Sequence, residues 1–184
     1  MGIDLYCNHK TFCTSYSTWG NIRVSIIKAT IECLLQKFEE IEKLYGHLDE
    51  NDENWIGKGS TYYFYKKDFI GMTDILYQNS DMNLFGLDIN INTFIKLCHN
   101  FNYMNSLQHF NVGGLFALCN QTDCEGYYTP GNALDICLLF DKIKPFMKKY
   151  DVYPCIYKTE NEMFDNLYEL FEYSHQTCRK ICIC

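Results

Sequence analysis

Residues 21–45 read NIRVSIIKATIECLLQKFEEIEKLY, and this stretch decides the class of fold. Val24, Ile27, Ile31, Leu34, Leu35, Phe38, Ile41 and Tyr45 recur at steps of three and four, so one stripe of a long helix is apolar and must pack on something. Glu39 and Lys43 on the other side make an i,i+4 pair, worth roughly 0.2–0.5 kcal/mol to an isolated helix. The most apolar window, residues 24–35, is interrupted by Lys28 and Glu32 and falls short of the roughly 18 apolar residues a bilayer crossing needs. Gly46 marks the end of the helix. Asp49-Glu50-Asn51-Asp52-Glu53 then reads as part of an exposed acidic loop over about 46–60; as a cation site it would need converging ligands, which a short linear run does not guarantee.

Outward from this helix the elements are shorter. Ile3 to Tyr6 and Phe12 to Tyr16 read as two strands around the polar turn Asn8-His9-Lys10, and Thr61 to Tyr65 as a third. Gly57-Lys58-Gly59-Ser60 lacks the spacing of a Walker loop and reads as a turn. A short helix is expected over 68–77, and another, capped by Asn92 or Thr93, carries Phe94, Ile95, Leu97, Cys98 and Phe101. Thr129-Pro130 is a helix start, hydroxyl as N-cap and proline at the first helical position, ahead of Leu134, Cys137, Phe140, Ile143 and Met147, with Pro145 kinking or ending the helix. After a strand over 152–157, a last helix from about Glu160 carries Phe164, Leu167, Leu170, Phe171 and His175. Helices outweigh short, local strands, which predicts a helix-rich α+β fold, a single domain over 1–184 with a frayed tail at 176–184.

Eleven cysteines stand in the chain, an odd number. The start Met1-Gly2-Ile3-Asp4-Leu5-Tyr6 lacks the basic and apolar regions of a secretory signal, so the expectation is an intracellular protein, in a host cytoplasm or a virion, with its sulfurs reduced. Cys33, Cys98 and Cys137 fall on apolar faces, where cysteine acts as a small hydrophobe. Asn, Ile, Lys, Tyr and Phe abound while alanine occurs three times and arginine only at Arg23 and Arg179, a skew that follows AT-rich codons and suggests a genome such as that of a large DNA virus. A net charge of -7 disfavours a general nucleic-acid binder; the basic groups Lys142/Lys144/Lys148/Lys149 and Arg179/Lys180 read as solvated helix ends.

Chemistry is most suggestive at Cys119-Asn120-Gln121-Thr122-Asp123-Cys124-Glu125-Gly126-Tyr127, where two thiols, two carboxylates and a glycine precede a helix N-terminus that favours anions and lowers thiol pKa. Asp123, Cys124, Glu125, Gly126 and Tyr127 are therefore candidate binding residues, and Cys119 with Cys124 candidate metal ligands. The plainer reading is a structural turn: Asp123 bonding turn amides, Gly126 supplying a positive φ, Cys124 filling a pocket. His175, Cys178, Cys182 and Cys184 form a second candidate metal set, suited to zinc if one helix face carries the first three; a frayed end with unligated thiols is the simpler alternative. Cys7, His9 and Cys13 make a partial set that a hairpin explains equally well.

With Met1, Gly2 and Asp4 at the start, and Asp123, Cys124, Glu125, Gly126 and Pro130 in and after the loop, the chain resembles a set of small uncharacterised bacterial and viral proteins. Those open with a Met-Gly-Ile/Leu-Asp strand and carry a His-Ser-Asp-Cys-Asp/Glu-Gly loop ahead of a capped helix. Gln121 stands where the pattern has histidine, and the resemblance, over about a fifth of the chain, implies no activity.

No nucleophile-elbow serine, H-E-x-x-H or glycine-rich dinucleotide loop occurs. The leading expectation is a non-enzymatic interaction protein with a protein partner, such as a virion component, a host-factor adaptor or an immunity-type binder; charge and aromatic content permit a monomer or a homodimer. The alternative is a metal-binding or thiol-redox protein using Cys119/Cys124 or the C-terminal cysteines. A third is a small cysteine hydrolase pairing Cys124 with His99 or His109.

Overall fold

Strict alternation of apolar and polar side chains makes the first two strands. In β1 (Gly2–Cys7), Ile3, Leu5 and Cys7 are buried while Asp4 and Tyr6 face outward, and in β2 (Lys10–Ser15), Phe12 and Thr14 are buried while Thr11 and Cys13 are exposed. The two pair antiparallel, Leu5 opposite Phe12, around Asn8, whose φ of 58° lies in the left-handed region that asparagine tolerates. The computed structural model describes residues 2–45, 112–120, 126–147 and 160–184. Its remaining elements are α1 (Tyr16–Tyr45), α2 (Val112–Asn120), β3 (Gly126–Tyr128), α3 (Pro130–Met147), α4 (Glu160–Thr177) and β4 (Ile181–Ile183). Among the described residues, four strands in the order β2-β1-β4-β3, all antiparallel neighbours, with these helices make an α+β fold.

Contacts divide the chain into two compact units, 1–30 with 111–184, and 31–110. Of the second unit, the described residues are those of α1 from Ile31 onward, where Cys33 is buried as expected. The expected acidic loop at 46–60, strands at 61–65 and 152–157, and helices at 68–77 and 92–101 lie outside the described residues, as does Cys98.

In the first unit the sheet's inner face presents Ile3, Leu5, Phe12, Tyr128, Ile181 and Ile183, all buried. α4 packs against β1 and β2 and brings Phe171 to the sheet, its ring 5.2 Å from Tyr128 in an edge-on contact. Phe140 of α3 lies 6.1 Å from Phe171 and 4.7 Å from Phe164, so one chain of aromatic contacts ties sheet, α4 and α3 together. Along the exposed side of the same helix pair run Lys144–Asp165 at 3.0 Å and a 2.7 Å hydrogen bond from the Tyr168 hydroxyl to Asp141. That bond holds the Tyr168 pKa above the usual phenol range, with help from burial and from the charge of Asp141. Lys144 is, as the sequence implies, a solvated helix residue.

α1 begins five residues before the expected Asn21, because Ser15 caps it: its Oγ accepts the Thr18 N–H at 3.1 Å. This cap was hidden in what reads as the end of a strand. The buried positions of the early part are Trp19, Ile22, Ile26, Ile27 and Ala29, so the apolar stripe includes residues the Val24-based pattern omits. Trp19 sits 6.3 Å from Phe12, which seats the helix start on β2, and the Arg23 guanidinium lies 5.8 Å from the Trp19 ring.

Two expectations about the C-terminal half are corrected. Of the two outcomes expected at Pro145, kinking or ending the helix, ending is not what α3 does: it passes through the exposed proline to Met147. The tail at 176–184 contains β4, which is paired on both sides, because Ile181 and Ile183 alternate with outward residues and complete the inner face. Leu134, expected in the core, is exposed, while Ala133, Ile136 and Leu139 are buried in addition to the expected Cys137, Phe140, Ile143 and Met147. α2 explains the shift. A Cβ on its Gly114 would lie 2.7 Å from the Asp135 carbonyl carbon, so the two helix backbones meet at a glycine and turn the buried arc of α3.

Replacing Phe171 by alanine removes the middle ring of the aromatic chain, and we expect a loss of about 3–5 kcal/mol in denaturant unfolding with an unchanged m-value. A loss under about 1 kcal/mol would show that the ring contacts do not organise this core.

Candidate functional site

The two cysteine-bearing segments singled out in the sequence, 119–127 and 175–184, meet in the sheet. β3 pairs with β4, placing Tyr127 opposite Cys182 and Gly126 opposite Ile183. Gly126 has φ 153°, a conformation that side-chain-bearing residues avoid, so its glycine is required by the backbone as the turn reading expects. Tyr127 then points outward and Tyr128 inward. Thr129 closes the segment as a cap: its Oγ accepts the Asn132 N–H at 3.1 Å, and Asn132 Oδ1 accepts the Thr129 N–H at 3.1 Å, a reciprocal capping box with asparagine in the third position. Asp123, Cys124 and Glu125 lie outside the described residues, as do His99 and His109; Cys119 sits in the last turn of α2.

At the other segment, α4 stops at Thr177 in a Schellman turn. Cys178 takes φ 52°, its N–H bonding the His175 carbonyl at 3.2 Å, while the Arg179 N–H bonds the Ser174 carbonyl at 3.1 Å. Ser174, fully buried, returns its hydroxyl proton to the Arg179 carbonyl, which also receives the Cys7 S–H at 3.9 Å. The chain thus reverses within three residues and delivers β4 between β1 and β3. His175, Cys178 and Cys182 therefore do not share a helix face; Cys178 is exposed in the turn and Cys182 belongs to a strand. Only Cys182 and Cys184 of that set stand on one surface, the outer face of the sheet, and among the described residues no three metal-ligating side chains gather.

Cys7, His9 and Cys13 also separate. Strand alternation sends Cys7 inward and Cys13 outward, and His9 lies edge-on to Tyr173 at 5.0 Å with Asn8 bonded to both. With Lys10–Glu169 at 2.9 Å, this latch holds the hairpin tip to α4. None of the described cysteines is in a disulfide. Burial raises the Cys7 pKa, against the opposing charge of Arg179, and burial together with Glu172 and Asp141 pushes Cys137 up to about 12. Both are protonated packing groups, as expected for Cys137.

Among the described residues the outer face of the sheet is accessible, carrying Asp4 and Tyr6 of β1, Cys13 of β2, Tyr127 of β3, and the half-buried Cys182 and exposed Cys184. The Tyr6 hydroxyl lies 3.3 Å from Cys184 Sγ, and this contact, with the nearby Cys182, raises the Tyr6 pKa. Lys180 reaches over the Tyr127 ring at 4.3 Å. The sequence pattern that could have found this face is the alternation Ile181-Cys182-Ile183-Cys184, which has the period of a strand. No helix among the described residues is long and apolar enough to cross a membrane. No family model matches the chain, and neither a curated protein nor a solved structure matches it.

A raised thiol pKa means the folded protein keeps a proton that the unfolded chain gives up. The stability this confers is complete below about pH 9 and declines as pH climbs toward about 12 for Cys137. Urea unfolding across that window will show the decline for the parent protein and a flatter alkaline limb for Cys137→Ala, whose stability at neutral pH falls by about 1 kcal/mol. Ser174→Ala, which strips a proton donor from the Arg179 carbonyl, should cost about 1–3 kcal/mol and speed hydrogen exchange at the amides of β4; slow exchange there in the variant would remove the hydroxyl from the account of how β4 is held.

Proposed function

We propose that the protein is a non-enzymatic interaction protein that binds a protein partner through the outer face of its sheet. One observation carries the reading: Tyr6 and Tyr127 flank Cys182 on adjacent strands and are 39% and 50% exposed on the same face. Tyrosine offers large contact area with few rotors and a polar tip, and such residues anchor interfaces. The rigid strands beneath them hold the rings in place, which lowers the ordering cost of association. Net charge supports a protein rather than a nucleic acid as the partner. The codon skew and the resemblance to small bacterial and viral proteins support a setting such as a large DNA virus, with the chain acting as a virion component, host-factor adaptor or immunity-type binder. A thiol or metal reading is favoured by a separate observation, the shared face of Cys182 and Cys184.

The test is affinity capture from the native cell with the parent chain and a Tyr6→Ser/Tyr127→Ser double variant that melts within a few degrees of it. We expect the parent to retain a near-stoichiometric partner and the variant to lose at least tenfold of it; equal capture by both would overturn the assignment of this face.

A further inference from the structure

Ile183 is buried beneath the sheet, so its neighbours Cys182 and Cys184 both project from the opposite face of β4. Both backbones are held on an interior strand. Cys182 pairs with Tyr6 on one side and Tyr127 on the other, and Cys184 exchanges two hydrogen bonds with Asp4 at 3.0 Å each. Residues two apart in a strand are about 6.6 Å apart along it. Rotation about the two Cα–Cβ bonds brings such a pair of sulfurs within the roughly 4.6 Å that a linear sulfur–metal–sulfur unit spans at a bond length of about 2.3 Å. The Tyr6 hydroxyl lies 3.3 Å from Cys184 Sγ although the Tyr6 backbone faces Cys182, so one phenol borders both thiols. Lys180, two residues before Cys182, lies over the Tyr127 ring and adds a positive charge beside them.

We propose that Cys182 and Cys184 form a two-thiolate site for a soft monovalent cation of the copper(I) class. Thiolate ligands select such ions, whereas a closed zinc site asks for four ligands, and no third imidazole, carboxylate or thiol joins this pair to make a metal-binding group among the described residues. Binding converts two thiols and one monovalent cation into an anionic bis-thiolate complex and releases two protons. Lys180 offsets the resulting charge, and the Tyr6 hydroxyl donates to the bound Cys184 sulfur. The strand fixes the spacing before the metal arrives, so little ordering is paid on binding. The site stands independently of any protein partner.

The experiment is anaerobic titration of the reduced full chain with copper(I) against a competing chromophoric chelator. The parent chain should take up one equivalent whose affinity falls at least tenfold in Cys182→Ser and in Cys184→Ser, while Cys13→Ser and Cys178→Ser, which alter exposed thiols off the pair, leave it unchanged. As a measurement on the unaltered protein, one equivalent of copper(I) should protect Cys182 and Cys184 from alkylation ahead of Cys13 and Cys178, read by peptide mass mapping. Unchanged affinity in both β4 variants, or protection falling first on other cysteines, would overturn the site.

Discussion

Everything in the first unit depends on β4 being inserted between β1 and β3. The strand has only three residues, yet it supplies Ile181 and Ile183 to the core and joins the N-terminal hairpin to the strand that leads into α3. Its position is set by a short piece of chemistry. Ser174, Cys178 and Arg179 form a helix stop whose backbone and serine hydrogen bonds all lie within five residues, with the Cys7 thiol added to the Arg179 carbonyl from β1. Cys178 takes the left-handed conformation usually given to glycine, which costs of order 1 kcal/mol and persists because the surrounding bonds over-determine it.

The aromatic chain Tyr128–Phe171–Phe140–Phe164 converts that backbone arrangement into a packed core. It runs from β3 to α4 and across to α3, so the two helices and the sheet share one set of contacts. The reduced, protonated thiols of Cys7 and Cys137 lie within this core, where a small polarizable side chain fills space without demanding a strong partner. Among the described cysteines the strand and helix positions sort sulfur by side: Cys7, Cys33 and Cys137 are packed inside, while Cys13, Cys178 and Cys184 are exposed.

Much of this was legible in the residues. The β1–β2 hairpin follows from alternation and a polar turn, α3 from Thr129-Pro130, and α4 from an apolar stripe beginning near Glu160, because each signal is local. The positive φ at Gly126 follows from reading its segment as a turn ahead of the Thr129-Pro130 helix start, although the short strand that Gly126 opens was not expected. What escaped was non-local or masked. Three residues of β4 cannot stabilise themselves and are ordered only by neighbours far away in sequence, so a tail reading prevails when periodicity is judged over longer windows. Gly113 and Gly114 argue against a helix by propensity, yet Gly114 is what lets α2 approach the α3 backbone. The outer-face grouping of Tyr6, Tyr127, Cys182 and Cys184 depends on strand order, which residue spacing does not encode.

Placing the last strand beside the first has a kinetic cost. Tyr6 and Cys184 touch across a separation of 178 residues, so the central ladder of the sheet closes a very long loop. The β1–β2 hairpin can form within microseconds of leaving the ribosome, but at ordinary synthesis rates its inner partner follows roughly ten to forty seconds later. During that interval β1 offers an unpaired edge rich in Ile3, Leu5 and Cys7, a template for pairing with other nascent chains. Biogenesis of this protein therefore calls for shielding of its N-terminal hairpin, and high-level expression at elevated temperature is the condition under which that edge becomes hazardous.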